Sequence, residues 1–140
     1  MRQILLFAAL AASLALLSGF ALSRAKEDKA EDMTDKAAYQ KISAEEAYEM
    51  MASQEVVVVD VRTREEYDGG HIQNAVLLPN ESIGSKMPEA LPDKEATLLV
   101  YCRSGRRSKD AAQKLLALGY QSVYDFGGVI DWPYELVKER

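Results

Sequence analysis

The chain has 140 residues, of which 48% are hydrophobic and 28% are charged, an ordinary balance for a globular protein with a core. The formal net charge is −5 at pH 7, which argues against a nucleic-acid partner because phosphate-binding surfaces are usually basic. One cysteine and one histidine cannot form a Cys/His cluster, so we expect no metal and no other cofactor.

Residues 1–23 have the features of a targeting segment. Arg2 makes the start positive, residues 4–22 carry no charge, and the small-x-small pattern at 21–23 suits a cleavage site. We expect a signal peptide that is cleaved near residues 21–25. The alternative is a retained anchor, because residues 4–22 as a helix measure about 28 Å, close to the ~30 Å apolar core of a membrane. Either way the folded part is expected outside the cytoplasm, as an exported periplasmic domain or anchored to the inner membrane.

A charged segment separates this start from the folded domain. Residues 24–40 contain almost no large apolar side chains, a composition typical of a solvated tether. The folded domain is predicted over residues 41–140. Its first helix is marked by a capping box of Ser43 and Glu46 and is expected to run to about Ala52.

The next segments alternate between strand and helix patterns. Residues 56–61 form a continuous β-branched run, typical of a strand buried on both faces of a parallel sheet. Thr63 and Glu66 form a second capping box, which predicts a short helix that ends at Gly69. Residues 75–78 are predicted to form another short strand.

The second half of the chain repeats this alternation. Glycine and proline within residues 81–93 leave room for a brief helix at most. Residues 97–102 are predicted to be a buried strand, and the amphipathic helix after them is ended by Gly119. A last strand is predicted over 122–126 and a short helix over 129–137. Strands alternating with helices indicate an α/β domain with a mainly parallel sheet.

The loop after the strand at 97–102 opens on Cys102, the only cysteine. Backbone N–H groups at the start of the following helix, together with its dipole, favour an anion here. The next five residues include three arginines, a serine and a glycine that lets the backbone curl. Such surroundings lower a thiol pKa below its free value of about 8.5, so we predict a reactive thiolate. The alternative is a small core cysteine beside solvated arginines.

In three of its sequence motifs, the chain resembles the single-domain rhodaneses over roughly residues 40–138. The resemblance implies a three-layer α/β fold with a mainly parallel central sheet. One departure is Asn74, where the family usually has glycine, but asparagine accepts left-handed geometry. The resemblance rests on three motifs: Asp60-Val61-Arg62 with Glu66-Tyr67, Gly70-His71-Ile72, Ala75 and Pro79; the loop Cys102-Arg103-Ser104-Gly105-Arg106-Arg107-Ser108; and Gly127-Gly128 with Trp132.

The resemblance implies a sulfurtransferase that works by double displacement. Cys102 as thiolate would take a sulfane sulfur from thiosulfate or a similar small anionic donor, and the persulfide would pass it to cyanide or a thiol. Loop amides would hold the anion, Arg107 with Arg103 or Arg106 would dock the donor, and serine hydroxyls would support the loop. The predicted site consists of Cys102 as the nucleophile and of the substrate-binding residues Arg103, Ser104, Gly105, Arg106 and Arg107.

Two other functions are open at this point. A rhodanese-like module can serve as a non-catalytic binding domain, although such modules commonly lack the cysteine that this chain has. A phosphatase or arsenate reductase also places a cysteine and an arginine on an anion-binding loop. Here four residues separate Cys102 from Arg107, whereas the phosphatase signature has five, and a shorter ring of amides suits a sulfur atom better.

The remaining polar residues of these motifs are predicted to be structural. His71 lies on the turn after a short helix and is expected to support the fold rather than to act as a general base. Asp60 and Arg62 end a buried strand and are expected to be paired, since a buried charge needs a partner. Trp132 is expected in the core.

A monomer is the default expectation for the oligomeric state.

Overall fold

The computed structural model describes residues 38–139, so the predicted targeting segment and most of the predicted tether lie outside the described residues. Five parallel strands form one sheet in the order β1-β5-β4-β2-β3. No helix within residues 38–139 is long and apolar enough to cross a membrane. The strands are β1 (Gln40–Lys41), β2 (Val57–Asp60), β3 (Val76–Leu77), β4 (Thr97–Cys102) and β5 (Ser122–Gly128). The helices are α1 (Ala44–Ser53), α2 (Arg64–Asp68) and α3 (Arg106–Ala117), with 3-10 turns at Asn80–Ser82 and Val129–Asp131.

The two faces of the sheet carry separate hydrophobic clusters, because successive strand residues point to opposite faces. On one face Val59 of β2 packs in a cluster with Leu115 of α3. On the other face Val58 clusters with Ala47 of α1 and Tyr67 of α2. Helices therefore cover both faces, and the predicted three-layer α/β fold with a parallel sheet is confirmed.

The local signals for the first two helices are confirmed at atomic detail. The Glu46 N–H donates to Ser43 Oγ (3.1 Å), and the Ser43 N–H donates to Glu46 Oε2 (2.7 Å). Thr63 and Glu66 form the same reciprocal box before α2. Asn74 has φ 64°, so asparagine supplies the left-handed turn for which the family usually uses glycine.

The end of the chain differs from its prediction. The last strand continues through Gly128, two residues beyond the predicted end. The helix predicted over 129–137 is wrong, since only one 3-10 turn forms there. Instead, the N–H of Val137 donates to the His71 carbonyl (2.8 Å) and receives a reciprocal bond from the His71 N–H (2.9 Å). Pro133 has no N–H to continue a helical ladder, and this distant pairing holds the segment extended.

The edge strand β1 has no counterpart in the sequence prediction. It pairs in parallel with β5, and its Lys41 lies opposite Asp125. Tyr39, just before it, packs against the cluster on the α3 face. The folded domain therefore includes Tyr39 and Gln40 at the end of the predicted tether. A strand of two residues has no periodicity that could be read from sequence.

Candidate active site

Cys102 is the last residue of β4, the central strand of the sheet. The chain moves from β4 to β5 on one side and from β2 to β3 on the other, so the strand order reverses beside Cys102. Ligands of open parallel sheets bind outside the carboxyl ends of strands at such a reversal. The side chain is 1% exposed and belongs to the cluster on the α3 face. The thiol thus lies at the boundary between the core and the expected ligand site.

The sulfur of Cys102 makes hydrogen bonds to residues of its own loop and of the start of α3. The Gly105 N–H donates to Sγ at 3.0 Å, and Ser108 Oγ lies 3.7 Å from Sγ. Burial by itself raises the pKa of the thiol, but hydrogen bonds from Ser108, Gly105 and Ser104 outweigh it, and the pKa of Cys102 lies below its usual value. Hydrogen bonds to the charged form favour ionisation, so this loop favours the thiolate.

Two glycines let the loop close around the sulfur. Gly105 precedes α3 with φ 104°, a left-handed conformation that is strained for other residues. Gly128 lies opposite Cys102 in the β4–β5 pairing. A Cβ at position 128 would overlap the carbonyl group of Arg103 and lie 2.6 Å from the Cα of Ser104. Because Gly128 has no side chain, the backbone of Arg103 and Ser104 can lie directly against it.

Arg107 joins the start of α3 to the start of α2. Its Nη1 and Nη2 donate to Glu66 Oε2 (2.7 Å) and Oε1 (2.8 Å), a bidentate pair of the strong kind. The hydrogen bonds from Arg107 and Thr63 lower the pKa of Glu66 to about 2. Glu66 was predicted only as a capping residue, and its bond to Arg107 spans 41 positions of sequence, which no local pattern reveals.

The other predicted donor-binding residues lie on the outside of the loop. Arg103, Ser104 and Arg106 are exposed, while Gly105 and Arg107 are half-buried. The five predicted substrate-binding residues are therefore grouped beside Cys102 on one loop and the first turn of the helix. Their role in binding a donor stays a prediction.

Asp60, at the end of β2, forms a buried polar network. Its Oδ2 accepts hydrogen bonds from Arg62 Nη2 (2.7 Å) and from the Tyr101 hydroxyl (2.6 Å). The Arg62 Nη2 also donates to the Gly70 carbonyl (2.8 Å), and the Tyr101 hydroxyl accepts from the Ile72 N–H (3.0 Å). The expected pairing of Asp60 and Arg62 is confirmed. The network ties the end of β2 to the turn after α2 and gives the buried charges their partners.

His71 and Trp132 lie in structural surroundings. The His71 ring stacks on Tyr67 at a centroid distance of 3.7 Å, and its Nδ1 lies 2.9 Å from the Tyr67 carbonyl oxygen. A carbonyl oxygen only accepts, so Nδ1 carries the hydrogen. Trp132 packs against Phe126 in the cluster on the α1 and α2 face. In the described part of the chain, no group of three or more His, Cys, Asp or Glu side chains could hold a metal ion.

Sequence reasoning also missed Asp125, which is fully buried in β5. It lies next to the Gly-Gly motif and accepts a hydrogen bond from the Gly127 N–H at 2.9 Å. An acidic residue inside an otherwise apolar strand pattern was the only signal in the sequence. Its remaining side-chain partners are Lys41 of β1 and Tyr39 just before it, a strand that the sequence did not predict.

Comparison with known proteins agrees with this geometry. The family model of the rhodanese-like domain matches residues 43–133. The thiosulfate sulfurtransferase PspE of Escherichia coli is 38% identical over 80 residues, which are 57% of this chain and 77% of that protein. A tRNA uridine(34) hydroxylase of Hamiltonella defensa is 34% identical over 112 residues, 75% of this chain but only 32% of that longer protein.

A solved structure gives the same answer for the fold. A rhodanese from E. coli, solved with anions, has a TM-score of 0.56 and 35% identity, and the match covers 61% of this chain and all of that one. The family model spans more than half of the present chain and includes β2, Cys102 and the Gly-Gly motif. The chain, with its cysteine at the end of the central strand, therefore belongs to the rhodanese-like family.

Proposed function

We propose that this protein is a sulfurtransferase that moves a sulfane sulfur from thiosulfate, or a similar small anionic donor, to cyanide or a thiol. Cys102 carries the sulfur as a persulfide between the two half-reactions. We further propose that residues 1–23 direct the domain out of the cytoplasm to the periplasm, either cleaved or retained as a membrane anchor. Residues 24–37, between this segment and the described residues, form a charged tether in this proposal.

The first half-reaction transfers one sulfur atom to the enzyme. The Cys102 thiolate attacks the outer sulfur of thiosulfate, the new Sγ–S bond forms, and the bond to the sulfonate sulfur breaks. Sulfite leaves with the electron pair, and the outer sulfur of the persulfide carries the negative charge. The Gly105 N–H, 3.0 Å from Sγ, belongs to the ring of donors that stabilises this charge.

The second half-reaction restores the thiolate. Cyanide or a thiolate acceptor attacks the outer sulfur, forms a bond to it, and the S–S bond breaks with the electron pair returning to Cys102. Arg103 and Arg106 are exposed beside the loop and can attract the anionic donor and acceptor. Neither half-reaction needs a redox cofactor, since electrons stay paired and the protein ends as it began.

The observation that carries this proposal is the set of hydrogen bonds that the loop makes to the Cys102 sulfur. A cysteine with a purely structural role would gain nothing from a pKa that is lowered against the effect of burial. The phosphatase alternative is less consistent with the length of the loop, since four residues separate Cys102 from Arg107 where the phosphatase signature has five. The non-catalytic alternative is less consistent with Cys102 at the end of β4, since non-catalytic rhodanese-like modules commonly lack this cysteine.

The proposal is tested by incubating the full chain with excess thiosulfate and measuring its intact mass. A sulfurtransferase gains the mass of one sulfur atom, and cyanide then removes it. Cys102→Ser is the control, because a hydroxyl keeps the contacts to Gly105 and Ser108 and should leave folding unchanged. The absence of any mass gain in the folded wild-type protein would refute the proposal. Hydrolysis of an aryl phosphate, lost in Cys102→Ser, would favour the phosphatase instead.

A further inference from the structure

Asp125 is a fully buried carboxylate that the proposed reaction does not use. A carboxylate in the interior needs hydrogen-bond donors and an opposite charge to remain ionised. Its Oδ2 accepts from the Tyr39 hydroxyl (2.6 Å) and lies 3.9 Å from Lys41 Nζ. Its Oδ1 accepts from the Gly127 N–H (2.9 Å). Asp125 thus joins the first strand of the domain to the Gly-Gly motif.

Gly127, which Asp125 holds, is hydrogen-bonded to Ser108 and lies close to Gly105, the two residues that contact the sulfur. Its carbonyl accepts a hydrogen bond from Ser108 Oγ (3.3 Å), and its Cα lies 3.5 Å from the place a Cβ of Gly105 would take. Gly127 has φ 89°, so its peptide groups take this orientation only in a left-handed turn. The hydrogen bond from its N–H to Asp125 fixes that turn.

The Ser108 hydroxyl links the position of Gly127 to the protonation state of the Cys102 sulfur. A hydroxyl has one hydrogen to donate, and Ser108 Oγ lies within 3.1 Å of the Gly105 carbonyl and 3.3 Å of the Gly127 carbonyl. The protonated thiol donates to Ser108 Oγ, whose hydrogen then points to a carbonyl. The thiolate can accept that hydrogen only while Ser108 Oγ stays within reach of Sγ, and the Gly127 carbonyl is one of the two groups that hold Oγ there. If the Gly127 turn relaxes, Ser108 Oγ is left to the Gly105 carbonyl alone, and the thiolate forms less readily.

We propose that Asp125 is a positioning residue for the catalytic loop, acting through Gly127 on the Ser108 hydroxyl and the Gly105 N–H that face Cys102. Tyr39 and Lys41 of the first strand and its entry hold the carboxylate in place. Lys41, whose side chain is 60% exposed, lies 3.9 Å from Asp125 Oδ2 and supplies an opposite charge for the buried carboxylate. The proposal rests on Cys102 being the reactive group of the proposed function.

Among residues 38–139, the ion pairs at Asp125 and at the start of α3 come from separate elements. Asp125 faces Tyr39 and Lys41 from the first strand and its entry. On the side of α3, the guanidinium of Arg107 is paired with Glu66. Removing Asp125 therefore frees both the Gly127 turn and the Lys41 ammonium, which lies 3.9 Å from the positions that a Cβ on Gly105 or Gly127 would take. A freed cation beside the loop would favour the thiolate, so a raised pH midpoint reports on the turn.

The test measures how fast Cys102 reacts with iodoacetamide from pH 5 to pH 9 in the full-length protein. Asp125→Ala leaves the Gly127 N–H without its acceptor and should raise the pH midpoint, with a reaction about tenfold slower at pH 6. Asp125→Asn keeps an oxygen for Gly127 and an amide group for Tyr39, and should stay within about threefold of wild type. Asp68→Ala, which removes an exposed carboxylate of α2, is the matched control and should change nothing.

A merely structural role predicts a different result. In that case Asp125→Ala lowers the free energy of unfolding while the folded protein keeps the wild-type pH midpoint, and the proposal is wrong. Equal shifts in Asp125→Ala and Asp125→Asn would likewise reject it, because charge and not position would then act. If Asp125→Ala does not fold, Tyr39→Phe/Asp125→Val replaces both buried polar partners by apolar ones, which tends to preserve stability, and the same slower reaction is expected.

This readout is independent of sulfur transfer. If the wild-type protein reacts rapidly at pH 6 but takes no sulfur from thiosulfate, the proposed function fails and the role of Asp125 can still be measured. If sulfur transfer is seen and Asp125→Ala keeps the wild-type pH midpoint, only the inference on Asp125 fails.

Discussion

Gly128→Ala introduces one methyl group where the backbone of the catalytic loop lies. The new Cβ would overlap the Arg103 carbonyl group and lie 2.6 Å from the Cα of Ser104, whereas real Cβ atoms keep at least 3.0 Å from such neighbours. Both obstacles are backbone, so no side chain can rotate to make room. The loop must move outward by roughly 1 Å, or the end of β5 must move away from β4. Overpacking of this kind destabilises by about 1–3 kcal/mol, and we expect the upper part of that range.

The effect on the site should exceed the effect on stability. A misplacement of about 1 Å can lower a rate by about 10²-fold, because the N–H groups no longer converge on the sulfur. Urea unfolding measures the free energy, and both iodoacetamide alkylation at pH 6 and sulfur transfer from thiosulfate measure the site. Gly84→Ala is the matched control, since nothing lies within 4 Å of its Cβ position, and it should change stability by no more than about 0.5 kcal/mol. Wild-type stability and reactivity in Gly128→Ala would refute the steric argument.

Two further predictions concern the ion pair between Glu66 and Arg107. The ion pair lowers the pKa of Glu66 from its ordinary value of 4.5 to about 2 in the folded protein. Its stabilisation is therefore complete above pH 4.5 and is lost as the pH falls toward 2. In urea unfolding, Glu66→Gln should cost about 1–2 kcal/mol at pH 7, after allowance for partial exposure, and almost nothing near pH 2. An equal loss at both pH values would contradict this. Arg107→Ala should weaken sulfur transfer from anionic thiosulfate more than from a neutral polysulfide, whereas equal losses in kcat/KM would show that the arginine only braces the loop.

The elements that could be predicted from sequence are those specified by neighbouring residues. The capping boxes at Ser43 and Thr63 lie within four residues of chain, and both form as expected. The β-branched run of β2 and the apolar run of β4 are buried in the sheet, as their composition requires. The place of Cys102 follows from the same local patterns, because a strand followed by a helix fixes where the loop must lie.

What could not be predicted depends on contacts between distant residues. β1 pairs with β5, more than 80 positions away, where Lys41 lies opposite Asp125. The last segment is extended where Val137 pairs with His71. The pairing of Glu66 with Arg107 likewise depends on how α2 and α3 meet over the sheet. No window of local sequence contains both members of any of these pairs.

The sheet ends on both sides in very short strands, β1 and β3, of two residues each. A long exposed edge offers a row of unpaired N–H and C=O groups on which another chain can add a strand. Within residues 38–139 each outer edge presents only two residues of regular backbone, too few to template such growth. Edge strands of this length disfavour the addition of a strand from another chain at either edge of the described sheet.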